Sequence, residues 1–276
     1  ENIIMRRICA LTIYIFISSI AFTQISKAPD RKEGEGPWPQ LILRGATVIN
    51  GTGAPAIGPV DIVIENNRII SVNTVGYPGM PIKEDKRPKL KAGGKEMDCA
   101  GMYIMPGFID MHGHIGGQNQ GTPAEYVFKL WMAHGITTVR DPGSFNGLEW
   151  MLDQKEKSAK NLITAPRIYA FTSFGSGSKQ PITNATQAIE WVRENAKKGA
   201  DGIKFFGASP EVMDAALREN KKLGLRSCCH HAQMDVARWN VLNSAKAGLT
   251  SMEHWYGLPE ALMTNSTIQQ FPLDYN

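Results

Sequence analysis

The chain has 276 residues, with 30 lysines and arginines against 26 aspartates and glutamates and a formal net charge of +4. So near a balance, with no basic stripe and no interleaving of aromatic and basic residues, excludes a nucleic-acid-binding protein as a working hypothesis. The composition is that of an ordinary globular protein with one large domain, or a large one beside a small one, and four cysteines make no disulfide framework.

In chain order, Arg6-Arg7 precede an apolar run from Ile8 to Ile17, followed by Ser18-Ser19-Ile20-Ala21. A positive start, a short apolar core and small residues before a cleavage point predict a secretory leader at residues 1–21, cut before Phe22. The run is short for a membrane span. The expectation is therefore a secreted or periplasmic protein with no stable membrane association after cleavage. Residues 22–39 are polar and rich in Pro and Gly, and read as a linker. From residue 40 short β-runs follow: Leu41–Leu43, Thr47–Ile49, Asp61–Ile64 and Arg68–Val72, punctuated by Asn50-Gly51 and Asn66-Asn67. Lys83 to Lys91 is a charge run, expected as a solvated excursion.

After Gly101 strands alternate with helical patterns, which predicts βα units and a parallel sheet. Strands are expected near Tyr103–Met111, Thr137–Arg140, Arg167–Phe171, Gly202–Phe206, Leu225–His231 and Thr250–Glu253. Helices are expected over Pro123–His134, Leu148–Asn161, Asn184–Lys198, Pro210–Leu223 and Asp235–Ala247, with Thr183-Asn184-Ala185-Thr186 supplying caps for one of them. Adjacent Cys228 and Cys229 fall in a buried strand, where free cysteine behaves as a small apolar residue.

The run Met105-Pro-Gly-Phe-Ile-Asp-Met-His-Gly-His114 carries the most chemistry. Residues two apart on a strand share a face, so His112 and His114 project toward one point. Neutral imidazole is the commonest protein ligand for zinc and its neighbours, so the pair suits a divalent cation. Lys204, within Ile203-Lys204-Phe205-Phe206, is a costly residue inside an apolar strand. His230-His231 end the fifth expected strand; being adjacent, they point to opposite faces, so one of them is the candidate ligand. His254 ends the sixth. All sit at the C-terminal ends of strands, where barrel enzymes place their chemistry. His134, at a helix end before Gly135, reads as a structural partner of the helix dipole. Arg140-Asp141 reads as an ion pair or turn. Trp255 and Tyr256 are candidates for lining a pocket or for packing.

Pro106-Gly-Phe-Ile-Asp-Met-His-Gly-His114 resembles the first-strand motif of the amidohydrolase superfamily, and Ala247-Gly-Leu-Thr-Ser-Met-Glu-His254 resembles its sixth. The resemblance runs from about Leu41 onward. It implies an α/β fold: a (β/α)8 barrel over residues 102–276, here incomplete with about six strands, and at residues 40–101 the N-terminal part of a small β-sandwich. It implies two divalent cations, zinc by preference: His112 and His114 on one, His231 and His254 on the other, and an N-carboxylated Lys204 bridging them. An alanine follows the ligand in the family pattern, which favours His231 over His230. Carboxylation also makes physical sense, since an ammonium ~4 Å from a divalent ion would cost roughly 8 kcal/mol at an effective dielectric near 20.

The implied activity is hydrolysis of amide-type C–N bonds in a small-molecule substrate by a metal-activated hydroxide. The alternatives are a mononuclear deaminase or imidazolonepropionase-like hydrolase and a non-catalytic scaffold of the same fold. The family's catalytic aspartate, at the end of strand eight, has no counterpart before Asn276. About 175 residues from Met102, against roughly 250 for a typical barrel, read as a truncated chain, expected to be inactive alone and insoluble or molten because its sheet edges are open. A homo-oligomer is compatible with these residues.

Overall fold

A computed structural model describes residues 24–116, 121–143, 145–233 and 235–262. The expected leader at residues 1–21 lies outside them. Among the described residues no helix is long and apolar enough to cross a membrane. The chain divides into two compact units, Arg31–Phe108 and the remainder.

The smaller unit is a mixed sheet. Strands β1 (Leu41–Val48), β2 (Ile57–Glu65) and β3 (Arg68–Thr74) are antiparallel neighbours, and β4 (Lys95–Asp98) and β5 (Tyr103–Ile104) pair parallel with β1. The β2–β3 hairpin turns at Asn66 and Asn67, both at positive φ, 47° and 61°. Asparagine tolerates that left-handed pair, whose twist matches the flanking strands. Ile42, Ala46, Val60, Ile62 and Val63 are buried. The two short runs expected at 41–43 and 47–49 are one strand. β4 gives no sequence signal because all four of its residues are exposed and it is held through its backbone.

The charge run differs from expectation at one end. Arg87, after a 3-10 turn at Glu84–Lys86, reaches the buried carboxylate of Asp61, which also binds the Arg44 guanidinium and the Gly45 amide. Burial alone would push Asp61 up. Hydrogen bonds from Arg87, Arg44 and Gly45 outweigh it and hold the carboxyl below the usual carboxylate value.

The larger unit contains a six-stranded sheet whose spatial order follows the chain: β6 (Phe108–Asp110), β7 (Ile136–Asp141), β8 (Arg167–Ser173), β9 (Gly202–Phe205), β10 (Arg226–Cys229) and β11 (Ser251–Met252). Pairings from β7 to β11 are parallel. Helices intervene: α1 (Ala124–Ala133), α2 (Leu148–Ala159), α3 (Ala185–Lys198), α4 (Pro210–Lys222) and α5 (Val241–Ala247); α6 (Leu258–Leu262) follows β11. This is the curled half-barrel of an incomplete (β/α)8 fold. The strand expected at Tyr103–Met111 is corrected. Met105-Pro106-Gly107 interrupts it, so Tyr103–Ile104 pairs with β1 and only Phe108–Asp110 joins the second sheet.

The pleat sorts side chains cleanly. Thr138 and Arg140, then Arg167, Tyr169 and Phe171, then Arg226 line a cleft of about 490 Å³ on the concave face. Their neighbours Val139, Ile168, Ala170, Ile203, Phe205 and Cys229 are buried in the convex core with Phe128, Met151, Val192, Met213 and Leu217 of the helices. Asn184 caps α3 by accepting the Gln187 amide, as expected. α5 starts later than expected because Asn240 and Asn243 form a capping box at Val241, leaving 235–239 in turns. The expected linker is also corrected at its start. Ile25 and Ala28 are buried in the convex core, and the Ala28 amide donates to Gln154 Oε1 at 2.9 Å.

Candidate metal centre

His112 and His114 follow β6 directly. The Asp110 carboxylate takes the His112 amide at 2.9 Å, and the Gly113 amide donates to the Arg140 carbonyl at 3.1 Å. A Cβ on Gly113 would stand 2.5 Å from Val139 Cγ2 and 2.8 Å from Trp131 Cζ2. Only glycine lets two inward histidines flank a residue pressed on the convex core. Gly113→Ala is expected to cost about 1–3 kcal/mol through overpacking and to displace both imidazoles, read as a lower melting temperature together with weaker zinc binding.

Four imidazoles form a contiguous series. Ring centres of His112 and His114 are 5.0 Å apart, of His112 and His254 5.1 Å, and of His254 and His230 4.6 Å. Two imidazoles sharing a tetrahedral ion at ~2.0–2.1 Å from each nitrogen have centres roughly 5 Å apart, so the spacing fits a metal-gathering set. Burial lowers the pKa of His230 and of His254, and neighbouring cationic groups add to it. Both rings are thus held neutral, with a lone pair to give. Among the described residues no three His, Cys, Asp or Glu side chains are already closed to ion-gripping distance.

Lys204 is 2% exposed on the concave face, its Nζ 5.3 Å over the Phe206 ring. Burial pushes its pKa down, favouring the neutral amine that carboxylation requires. Burial pushes the neighbouring Cys228 thiol up to about 12 and Cys229 higher, which disfavours a thiolate at either.

His231 is not in the cluster. It is 2% exposed, and its Nε2 pairs with Ser244 Oγ of α5 at 2.8 Å, the hydroxyl that also accepts the Trp239 indole N–H. Burial drops its pKa to about 4. The inward position belongs to His230, whose ring stacks on Tyr256 at 4.9 Å. The reason is parity. Cys228 is in register with Lys204, so 226, 228 and 230 face inward while Cys229 and His231 face the helices.

Two features escaped the sequence. Glu253 reaches into the cluster: its Oε2 is 2.5 Å from His112 Nδ1 and its other oxygen pairs with Arg140 and Ser251. Burial would raise Glu253, but the His112 hydrogen bond and the Arg140 charge outweigh it and lower the pKa. And His254 has φ 60°. On a regular strand Glu253 and His254 would point opposite ways; the left-handed turn brings both to His112. A strained non-glycine residue of this kind is typical of a functional site. His134 caps α1, with Nδ1 2.8 Å from the Leu130 carbonyl, and is structural as expected.

Comparison with known proteins agrees with this architecture. The amidohydrolase family model matches residues 103–268, more than half of the chain. The chain belongs to the amidohydrolase family. Similar relatives of this amidohydrolase include an adenine deaminase of Bacillus pumilus (strain SAFR-032), 29% identical over 50% of this chain and 21% of that protein. An N-acyl-D-aspartate deacylase of Alcaligenes xylosoxydans xylosoxydans is 28% identical over 49% and 24%. A crystal structure of a Xaa-Pro dipeptidase superposes with a TM-score of 0.58 at 20% identity, covering 78% of this chain and 61% of that one, which shows the shared fold. The alignments span about a fifth to a quarter of these two curated relatives' lengths.

Proposed function

We propose that this amidohydrolase chain carries the metal-gathering part of an enzyme that hydrolyses amide-type C–N bonds in small molecules. One observation carries the reading: His112, His114, His230 and His254, from three strand ends, bring their rings together on the face that also bears Lys204. His112 and His114 would hold one divalent cation and His230 and His254 a second, with Lys204 joining them as its N-carboxylate. Divalent cations held there would supply Lewis acidity toward a carbonyl and make water a nucleophile near neutral pH. The chain's own residues hold His230 and His254 neutral through burial and set Tyr256 beside His254, with the half-exposed Trp255 ring 5.5 Å from that of Tyr256. The names of the deacylase and dipeptidase relatives support an acyl–nitrogen bond as the target.

A second reading is a mononuclear deaminase; the names of the adenine deaminases among the relatives support the deamination. Metal analysis of the full-length protein separates the two: two equivalents per chain are expected, and one equivalent would favour the deaminase. A screen with N-acyl amino acids, Xaa-Pro dipeptides, hydantoins, lactones and adenine then names the substrate. The Arg6-Arg7 leader pattern supports secretion or periplasmic export, which N-terminal sequencing of the mature product tests.

A further inference from the structure

We infer that Glu253, anchored by Arg140, is the positioning residue of His112: it holds the proton on Nδ1 and so presents the Nε2 lone pair to the site. This rests on the reading of His112 as a metal ligand given above.

The geometry is specific to this one histidine. Glu253 Oε2 lies 2.5 Å from His112 Nδ1, while Oε1 accepts from Ser251 Oγ at 2.9 Å and from Arg140 Nη2. An ionised carboxylate only accepts, so the imidazole nitrogen facing it must be the N–H, and in the neutral ring the other nitrogen is then the free donor of electrons. Arg140 and Glu253 are 5% and 6% exposed, so their ion pair is shielded from water. Arg140 also grips the backbone on both sides of His112. Its Nε donates to the Met111 carbonyl at 2.6 Å, and its own carbonyl accepts the Gly113 amide at 3.1 Å. One residue of β7 thus fixes the main chain before and after His112 and, through Glu253, the ring. His114 has no such hold: its Nδ1 makes no hydrogen bond, and Asp141 Oδ1 lies 3.5 Å away. Arg140 and Glu253 come from strands that are not neighbours in the sheet. The clamp therefore forms only when the sheet curls, so the ligand is set as a consequence of folding.

The test uses the full-length protein, stripped of metal and labelled with 15N-histidine. His112 is assigned by the signals lost in His112→Asn. The long-range 1H–15N spectrum should show His112 as the Nδ1–H tautomer; an Nε2–H tautomer overturns the inference. Zinc affinity is then measured by competition with a chromophoric chelator. Glu253→Leu alone strands a buried guanidinium and can unfold the protein, so it is combined with Arg140→Met. The folded double variant should bind zinc about 10- to 100-fold more weakly and lose the fixed tautomer. Unchanged affinity, with the wild type binding zinc normally, overturns the positioning role and leaves the metal reading standing. Absence of zinc binding by the wild type overturns both.

Discussion

Lys204→Met is expected to abolish hydrolysis by the full-length protein without harming the fold. The side chain is 2% exposed among apolar neighbours, and burial already disfavours its charge. Methionine matches its length and volume and removes the amine. A buried amine without a hydrogen-bond partner carries a desolvation cost that an apolar side chain of similar size does not, so the urea midpoint of the metal-free protein should hold or rise. Activity should move the other way. If the N-carboxylate of Lys204 joins two cations, its loss removes several kcal/mol of transition-state stabilisation, on the order of a thousandfold in rate. Metal content should fall from two equivalents toward one. A variant that keeps wild-type turnover and both metals would show Lys204 to be a structural lysine and sink the binuclear reading.

The second large effect concerns stability rather than chemistry. Asp61 is fully buried between Arg44 and Arg87 and accepts the Gly45 amide. Asp61→Ala removes the carboxylate shared by both guanidiniums, which keep only Glu96 and Glu84 and part of their contact with water, so the cost is expected at about 3 kcal/mol, the lower end for breaking a buried ion pair. Hydrogen exchange of peptides from β1 and β2 should speed up while the six-stranded sheet is spared. The acid response follows from the same carboxylate. Its folded pKa lies below the ordinary value of 3.8, so in the unfolded chain it binds its proton at higher pH. Its stabilising contribution is full above about pH 4 and is lost as pH falls through the lowered folded value. Asp61→Asn should erase that acid-side loss. Unchanged exchange in Asp61→Ala would show that the triad contributes nothing net.

The ladder of strands and helices was largely legible because each βα unit writes its own period. Val139, Ile168 and Ile203 alternate with polar or inward residues, and α3 and α5 run from the asparagine caps Asn184 and Asn240 to Gly199 and Gly248. β4 was not legible, since exposed Lys95–Asp98 has no apolar alternation to read. Nor was the early anchoring of Ile25 and Ala28, which depends on Asn146 and Gln154 more than a hundred residues away.

The site divides along the same line. The pairing of His112 with His114 follows from strand parity, and Lys204 stands out as a lysine in an apolar strand; both are properties of neighbouring residues alone. The choice of His230 over His231 needed the register of β10 against β9, which aligns Cys228 with Lys204. Glu253 needed more still: the left-handed His254 after it, which breaks the alternation, and a curl that brings β11 to Arg140 of β7. Residue types and spacing by themselves determined that histidines would stand at strand ends with a lysine inside an apolar strand, and the family resemblance implied that they share a site. Which side chains meet, and which carboxylate holds them, was decided by tertiary structure, because alternation is a local steric rule whereas register and sheet curvature are set by packing between distant segments.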